Sequence, residues 1–180
     1  MADRPNVVGE GDLGWSEQAH GEKFGHRRKQ LGSAAGGQRV GCSLYEVPPG
    51  RTAFPRHYHL ANEEAIYVLE GSATLRIGRE GQAVEVSQGD YVALPVGADG
   101  AHQLVNSSGA ALRYLCFSTM VEPDVMVYPD SGKVGVFGGS APGAPRRRGP
   151  TPSSSGRTPR WATTTAKTRP FHPPRLPCLH

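Results

Sequence analysis

The feature that most constrains the fold is a series of short apolar segments, each ended by glycine, proline or a polar turn. Residues 41–47 end at Pro48-Pro49-Gly50, and residues 73–77 alternate apolar and polar side chains before Gly78. Such segments are typical of β-strands. The remaining segments of this kind are 54–59, 65–69, 83–86, 91–94, 102–105 and 112–118. Eight or nine strands, six to ten residues apart, predict one closed all-β barrel or sandwich.

Composition divides the chain. Residues 1–139 contain 12 Lys and Arg against 16 Asp and Glu, whereas residues 140–180 contain eight Lys and Arg, nine prolines and no acid. We predict an N-terminal arm over 1–38, a barrel over 39–137 and a disordered Pro/Arg-rich tail over 138–180. A second hypothesis derives the tail from a reading-frame slip after Phe137, which sequencing of the gene would test. We assign the tail no function.

Charge and hydropathy exclude several classes of function. The net charge of +4 comes from the tail, so the acidic body is not expected to bind nucleic acid. The sequence has no signal-peptide pattern and no apolar run near the roughly 20 residues of a membrane span, which predicts a cytoplasmic protein without membrane contact. Cys42, Cys116 and Cys178 have neither metal-binding nor disulfide spacing, and we expect the first two to be reduced core residues.

Four residues form a candidate metal site. His57 and His59 are two apart, so on a strand they face the same side. Glu64 and His102 open two later predicted strands. Three imidazoles and one carboxylate are a donor set that binds first-row transition metals. We predict that these four residues bind one divalent ion, with manganese, iron, nickel and zinc all open.

The alternatives at this site are few. Glu63 competes with Glu64, but Glu64 shares its strand face with Ile66 and Val68 and should point inward. A further group of histidines has no such partners and is expected at the surface or in the tail: His20, His26, His172 and His180.

Two ordered motifs resemble those of the cupin superfamily. The first consists of Gly50, His57, His59, Glu64 and Gly71, and the second of Gly89, Pro95, Gly97, His102 and Asn106. The spacing departs from the family pattern by one extra residue before His57 and two before His102. The resemblance covers roughly residues 15–137 and is similar to single-domain bacterial cupins, including oxalate-binding ones. It implies a double-stranded β-helix (jelly roll), the same four metal ligands, a homodimer, and an arm that adds a strand to a partner subunit.

The resemblance leaves the activity open. Four protein ligands close a tetrahedral zinc site but leave two positions of an octahedral ion for a small ligand. One hypothesis is a metal-dependent dioxygenase, decarboxylase, isomerase or lyase acting on a small oxygen-rich substrate. A second is a non-catalytic module that binds a small carboxylate such as oxalate, and a third is a barrel that its metal only braces. No catalytic residue and no separate general base stand out.

The surroundings of the site can also be predicted. We expect an apolar wall from Leu75, Ile77, Val92, Leu94, Leu104 and Leu112. The polar candidates for orienting a substrate are Arg56, Gln103, Asn106, Arg113 and Tyr114.

Overall fold

The computed structural model describes residues 5–138, and β-strands dominate this part of the chain. The strands are β1 (Ser16–His20), β2 (Phe24–Lys29), β3 (Val40–Val47), β4 (Tyr58–His59), β5 (Glu64–Glu70), β6 (Ser72–Ile77), β7 (Gln82–Ser87), β8 (Tyr91–Leu94), β9 (His102–Val105), β10 (Leu112–Thr119), β11 (Asp124–Tyr128) and β12 (Lys133–Phe137). One short helix, α1 (Leu31–Ala34), and two 3-10 turns (Glu10–Asp12 and Ala98–Gly100) complete them. The predicted tail beyond residue 138, with Cys178, His172 and His180, lies outside the described residues.

The strands form an antiparallel jelly roll. The larger sheet has the order β1-β2-β3-β10-β5-β8, and two three-stranded sheets have the orders β7-β6-β9 and β12-β11-β4. Antiparallel bridges at Thr52–Val105 and His57–His102 join segments outside this regular pairing. The prediction of an all-β barrel is therefore confirmed. No helix within residues 5–138 has the length and apolar character needed to cross a membrane.

The core lies between the sheets and contains the predicted apolar wall. Leu75, Val92, Leu94, Leu104 and Leu112 are all less than 9% exposed, and Ile77 packs against them partly buried. Burial of each such side chain contributes about 1.5–3 kcal/mol. Seven of the eight predicted strand segments fall within observed strands, because their alternation reflects one buried and one solvated face.

The predicted strand over 54–59 is shorter than expected. Only Tyr58–His59 pairs as regular β-structure, and it does so with β11. Pro55 has no N–H to donate to a sheet ladder, which interrupts pairing just before the histidines. The chain instead contacts its neighbours through single bridges at Thr52 and His57.

The N-terminal region contributes strands to the chain's own sheet. Within the region predicted as an N-terminal arm, β1 and β2 form a hairpin whose second strand pairs with β3, with Arg28 opposite Tyr45. The resemblance implied an arm that adds a strand to a partner subunit, whereas β2 pairs with β3 of its own chain. His26, expected at the surface, is only 7% exposed and packs against Tyr45 and Phe54.

Candidate metal centre

Three histidines come together where β4 and β9 meet. Backbone hydrogen bonds join His57 and His102 in both directions, with N–O distances of 3.1 and 2.9 Å. The ring centroids of His57 and His102 are 4.5 Å apart, and those of His57 and His59 are 5.3 Å apart. All three side chains are buried. The backbone pairing therefore fixes two imidazoles from strands that are distant in sequence.

Each imidazole uses its Nδ1 atom to hold its orientation. Nδ1–H of His57 donates to the carbonyl of Pro55 at 2.8 Å, and Nδ1–H of His102 donates to that of Gly100 at 3.0 Å. Nδ1 of His59 lies 2.5 Å from Oδ2 of Asp124. A proton held on Nδ1 leaves the lone pair of Nε2 free, which is the arrangement of a metal-binding histidine.

Glu64 lies beside the Nε2 atoms of two of these histidines. Its Oε2 atom is 3.4 Å from Nε2 of His59 and 3.5 Å from Nε2 of His102. The ligand atoms of His57, Glu64 and His102 all lie within 4.8 Å of one another. Nε2 of His59 is buried and has no hydrogen-bond partner within residues 5–138. Because buried polar atoms are nearly always satisfied, this orphan nitrogen and the donor set beside it fit a metal ion.

Burial and mutual charge set the protonation of these groups. Burial lowers the pKa of His57 to about 3, with a further decrease from the charge of His102. Burial also lowers the pKa of His102. For Glu64, burial alone would raise the pKa, but contact with the histidines lowers it overall. At neutral pH the two imidazoles are therefore neutral and the carboxylate is ionised, the forms that bind metal.

His59 differs from the other two histidines. Burial lowers its pKa, but contacts with the carboxylates of Glu64 and Asp124 outweigh burial and raise it overall. Asp124 is 0% exposed and its Oδ1 atom also accepts a hydrogen bond from the backbone N–H of Ala61 at 3.1 Å. A carboxylate that orients a histidine in this way is the usual outer partner of a metal ligand. Asp124 was not among the predicted site residues, because the sequence pattern did not predict β11.

The extra residues of the second motif have a structural role. Residues 98–100 form a 3-10 turn, and the carbonyl of Gly100 accepts the hydrogen bond from His102. A Cβ atom at Gly100 would overlap the carbonyl oxygen of Pro95, so only glycine fits this turn. The insertion therefore positions a site residue.

The four side chains border a cavity of about 250 Å³. Its wall is mostly apolar and aromatic, and its lining comprises Arg28, Tyr45, Ala53, Phe54, Pro55, His57, His59, Glu64, Ile66, His102, Gln103, Leu104, Tyr114, Cys116, Met126, Tyr128 and Phe137. Cavities for drug-sized ligands usually measure about 300–1,000 Å³. This one suits a smaller molecule.

Two of the five polar candidates for orienting a substrate, Gln103 and Tyr114, line the cavity. The other three serve the fold. Arg56 binds Asp130 at 3.0 Å, and Arg113 binds Glu10 at 2.6 Å.

Asn106 is completely buried and ties together the ends of a loop. Its Nδ2 atom donates to the carbonyls of Val47 and Ala110, both at 2.8 Å. Its place in the second motif thus reflects loop structure and not ligand contact.

The family model of the cupin domain matches residues 43–118, a span that holds all four candidate ligands. Residues 43–118 form a cupin domain. The predicted resemblance is thereby confirmed for the barrel. None of the curated proteins matches the chain significantly.

Solved structures similar to this chain include two described as sugar phosphate isomerases. The putative sugar phosphate isomerase from Acidithiobacillus ferrooxidans is 27% identical, with a TM-score of 0.67, over 74% of this chain and 86% of that one. The sugar phosphate isomerase from Silicibacter pomeroyi is 29% identical, with a TM-score of 0.57, over 61% and 68%. A predicted oxalate decarboxylase from Thermotoga maritima, 20% identical with a TM-score of 0.55 over 64% and 99%, shares the fold.

Proposed function

We propose that this cupin binds one divalent transition metal ion through His57, His59, Glu64 and His102, and that the centre binds or transforms a small oxygen-rich ligand. The observation that carries the proposal is the shared orientation of the three imidazoles. Each Nδ1 atom is held by a carbonyl or carboxylate, and the ionised Glu64 lies 3.4 Å from Nε2 of His59 and 3.5 Å from Nε2 of His102. Manganese, iron, nickel and zinc all accept this donor set.

The residues of the cavity perform the remaining tasks of such a site. A bound ion of this kind polarises a carbonyl or carboxylate oxygen and lowers the pKa of coordinated water. The apolar wall, including Ile66 and Leu104, keeps bulk water away from the centre. Gln103 and Tyr114 offer polar groups to a ligand, and burial keeps Tyr114 protonated by raising its pKa.

The similar structures support a small carbonyl-bearing or carboxylate-bearing ligand. Two of them, at 27% and 29% identity, are described as sugar phosphate isomerases. A sugar carbonyl or a carboxylate offers the oxygen donors that a hard or borderline metal prefers. The cavity volume of about 250 Å³ favours a small ligand.

One observation favours a second, non-catalytic candidate. Among the described residues that line the cavity, Glu64 supplies the sole carboxylate, and every imidazole belongs to the proposed metal set. A separate general base, which proton abstraction normally needs, is thus absent from this lining. Under this alternative the cupin binds a small carboxylate such as oxalate without turnover.

Metal analysis of untagged protein tests the proposal. The parent should contain about one ion per chain, whereas His57→Ala and His102→Ala should be strongly depleted, because an incomplete ligand shell binds far more weakly. His20→Ala is the matched control, since His20 is exposed and does not line the cavity, and it should keep the parental metal content. Parent protein without metal after reducing, chelator-free purification would overturn the proposal.

Turnover assays then separate the two candidates. Metal-loaded protein is incubated with small sugar phosphates and with oxalate, and both binding and product are followed. Product formation that His57→Ala abolishes supports an enzyme. Oxalate binding without product supports the binding module. The predicted homodimer and cytoplasmic location belong to the same proposal, and sedimentation analysis tests the former.

A further inference from the structure

An arginine from the N-terminal hairpin reaches the wall of the metal cavity. Arg28 lies on β2, outside the segment matched by the cupin family model, and is partly buried. It lines the same cavity as His57 and Glu64. Among the described residues that line this cavity, Arg28 is the sole lysine or arginine.

Sheet register explains why Arg28 points into the barrel. Arg28 pairs with Tyr45 on β3, Tyr45 pairs with Tyr114 on β10, and Tyr114 pairs with Val68 on β5. Residues directly opposite one another in neighbouring strands share a sheet face. Val68 is 0% exposed and Tyr114 lines the cavity, so this row lies on the inner face.

The guanidinium of Arg28 lacks an anionic partner. Its Nη1–H group donates to the hydroxyl of Tyr45 at 3.2 Å. Burial raises the pKa of Tyr45, which keeps the phenol neutral. Within residues 5–138, Arg28 makes no ion pair with an Asp or Glu side chain.

Five other arginines of the described residues form ion pairs with carboxylates: Arg27, Arg56, Arg76, Arg79 and Arg113. Arg27 binds Glu46 at 2.7 Å, and Arg79 binds Asp99 at 2.6 Å. Arg28 is therefore an uncompensated charge on a partly buried apolar wall, although a guanidinium has five donors to satisfy. The planar guanidinium fits a carboxylate or phosphate in a two-point contact.

We propose that Arg28 selects an anionic ligand: one end of the ligand provides oxygen donors to the metal centre, and a carboxylate or phosphate at the other end pairs with Arg28. This inference rests on the proposed function, because the cavity is taken to hold the ligand of that centre. The ligand class narrows from oxygen-rich molecules in general to small molecules with a second, anionic group. Tyr45 positions the guanidinium through its hydroxyl.

Calorimetric titration with matched probes tests this proposal. The carboxylate pair is succinate and its monomethyl ester, and the phosphate pair is phosphoglycolate and glycolate. Parent protein should bind the probe with the additional anionic group about 10-fold more tightly than its matched partner, or better, as expected for a charge-assisted pair. Whether the preference appears with succinate, phosphoglycolate or both identifies the anion.

Variants locate the preference. Arg28→Gln should abolish it, and Arg28→Lys should retain part of it because the charge stays but the planar fork is lost. Arg27→Gln removes the same charge from the neighbouring position, whose side chain binds Glu46 outside the cavity lining, and should leave the preference unchanged. Thermal melting of each variant verifies folding.

The outcomes for Arg28 and for the metal centre are read separately. Metal content is measured for every sample, and each titration is repeated on metal-free protein. If the parent contains no metal, the proposed function is overturned, but the role of Arg28 is not. If metal-free parent protein still prefers the more anionic probe and Arg28→Gln abolishes that preference, the role of Arg28 is supported. The proposal for Arg28 is overturned if the parent shows no preference for the more anionic probe, or if folded Arg28→Gln keeps that preference.

Discussion

Nδ1 of His59 lies 2.5 Å from Oδ2 of Asp124, and this pair connects the candidate metal centre to β11. The carboxylate is 0% exposed and is held in place by the N–H groups of Ala61 and Val125 at 3.1 and 2.8 Å. A buried acceptor fixed in this way requires Nδ1 to carry the proton. The orientation of His59 is thus determined by a residue 65 positions later in the chain.

Asp124→Asn tests this dependence. The amide keeps the size of the carboxylate, but its N–H can donate to Nδ1 of His59 and so move the proton to Nε2. We expect metal affinity to fall about 10- to 100-fold, the usual effect of losing an outer partner. A competitive chelator titration measures the affinity, and Asp130→Asn, which alters ion pairs with Arg56 and Arg76 outside the cavity lining, is the control. Equal affinities of parent and Asp124→Asn would contradict the prediction.

Glu63 and Glu64 form a matched pair for the centre itself. Glu64 points to Nε2 of His59 and His102, whereas Glu63 is exposed. Glu64→Gln removes the anionic ligand and should reduce metal affinity by more than about 10-fold. Glu63→Gln removes an equal charge one residue away and should have little effect. The prediction fails if both variants bind metal equally well.

Asn106→Ala should lower the stability of the fold and leave the metal affinity of the candidate centre unchanged. Removing the amide leaves the buried carbonyl of Val47 without its donor, and each such loss costs about 1–3 kcal/mol. The carbonyl of Ala110 loses the same donor. Urea unfolding in a chelator should show a decrease of at least about 2 kcal/mol in the free energy of unfolding. The metal affinity of the folded variant should match that of the parent, and a selective loss of metal would instead place Asn106 in the site.

His26 should contribute to acid sensitivity. Burial lowers its pKa below 6.5, and the charge of Arg28 lowers it further, while a hydrogen bond with the backbone of Ala53 opposes both. Below pH 6.5 the unfolded chain takes up a proton at this histidine more readily than the folded chain does. The stability gained from the neutral imidazole is thus present above that pH and lost as pH falls.

His26→Phe removes this titration and keeps a ring against Tyr45 and Phe54. Melting temperatures in a chelator, from about pH 7.5 to about pH 5, should fall less steeply for the variant than for the parent. Parallel curves would show that His26 takes no part in the acid response.

The elements predicted best from the sequence are strands whose alternation of apolar and polar residues arises within the strand itself. The segments that became β3 and β6 alternate because one sheet face is buried, and turn residues such as Gly78 mark their ends. Strand faces predicted that His57 and His59 point to one side and that Glu64, not Glu63, points inward, whereas His102 was proposed as the first residue of a later strand. The ligand atoms of His57, Glu64 and His102 lie within 4.8 Å of one another. His59 borders Glu64, and its membership of a four-ligand set stays a prediction.

Tertiary contacts determined what the sequence did not reveal. Asp124 follows a turn-like Glu-Pro pair, and nothing local distinguishes it from a surface acid until β11 pairs with β4. Arg28 lies in a charged cluster that a sequence pattern assigns to solvent, yet its partner Tyr45 directs it inward. His26 is buried for the same reason, because β2 belongs to the main sheet.

The reciprocal backbone hydrogen bonds between His57 and His102 would couple occupancy of the proposed metal centre to closure of the barrel. Opening of that junction would separate two donor residues at once, so an ion bound to both would stabilise the contact between His57 and β9. Mass action then ties the melting temperature to the logarithm of free metal concentration. Depletion of the metal would register first as hydrogen exchange at these two amides, ahead of any change in the distant β6–β7 hairpin.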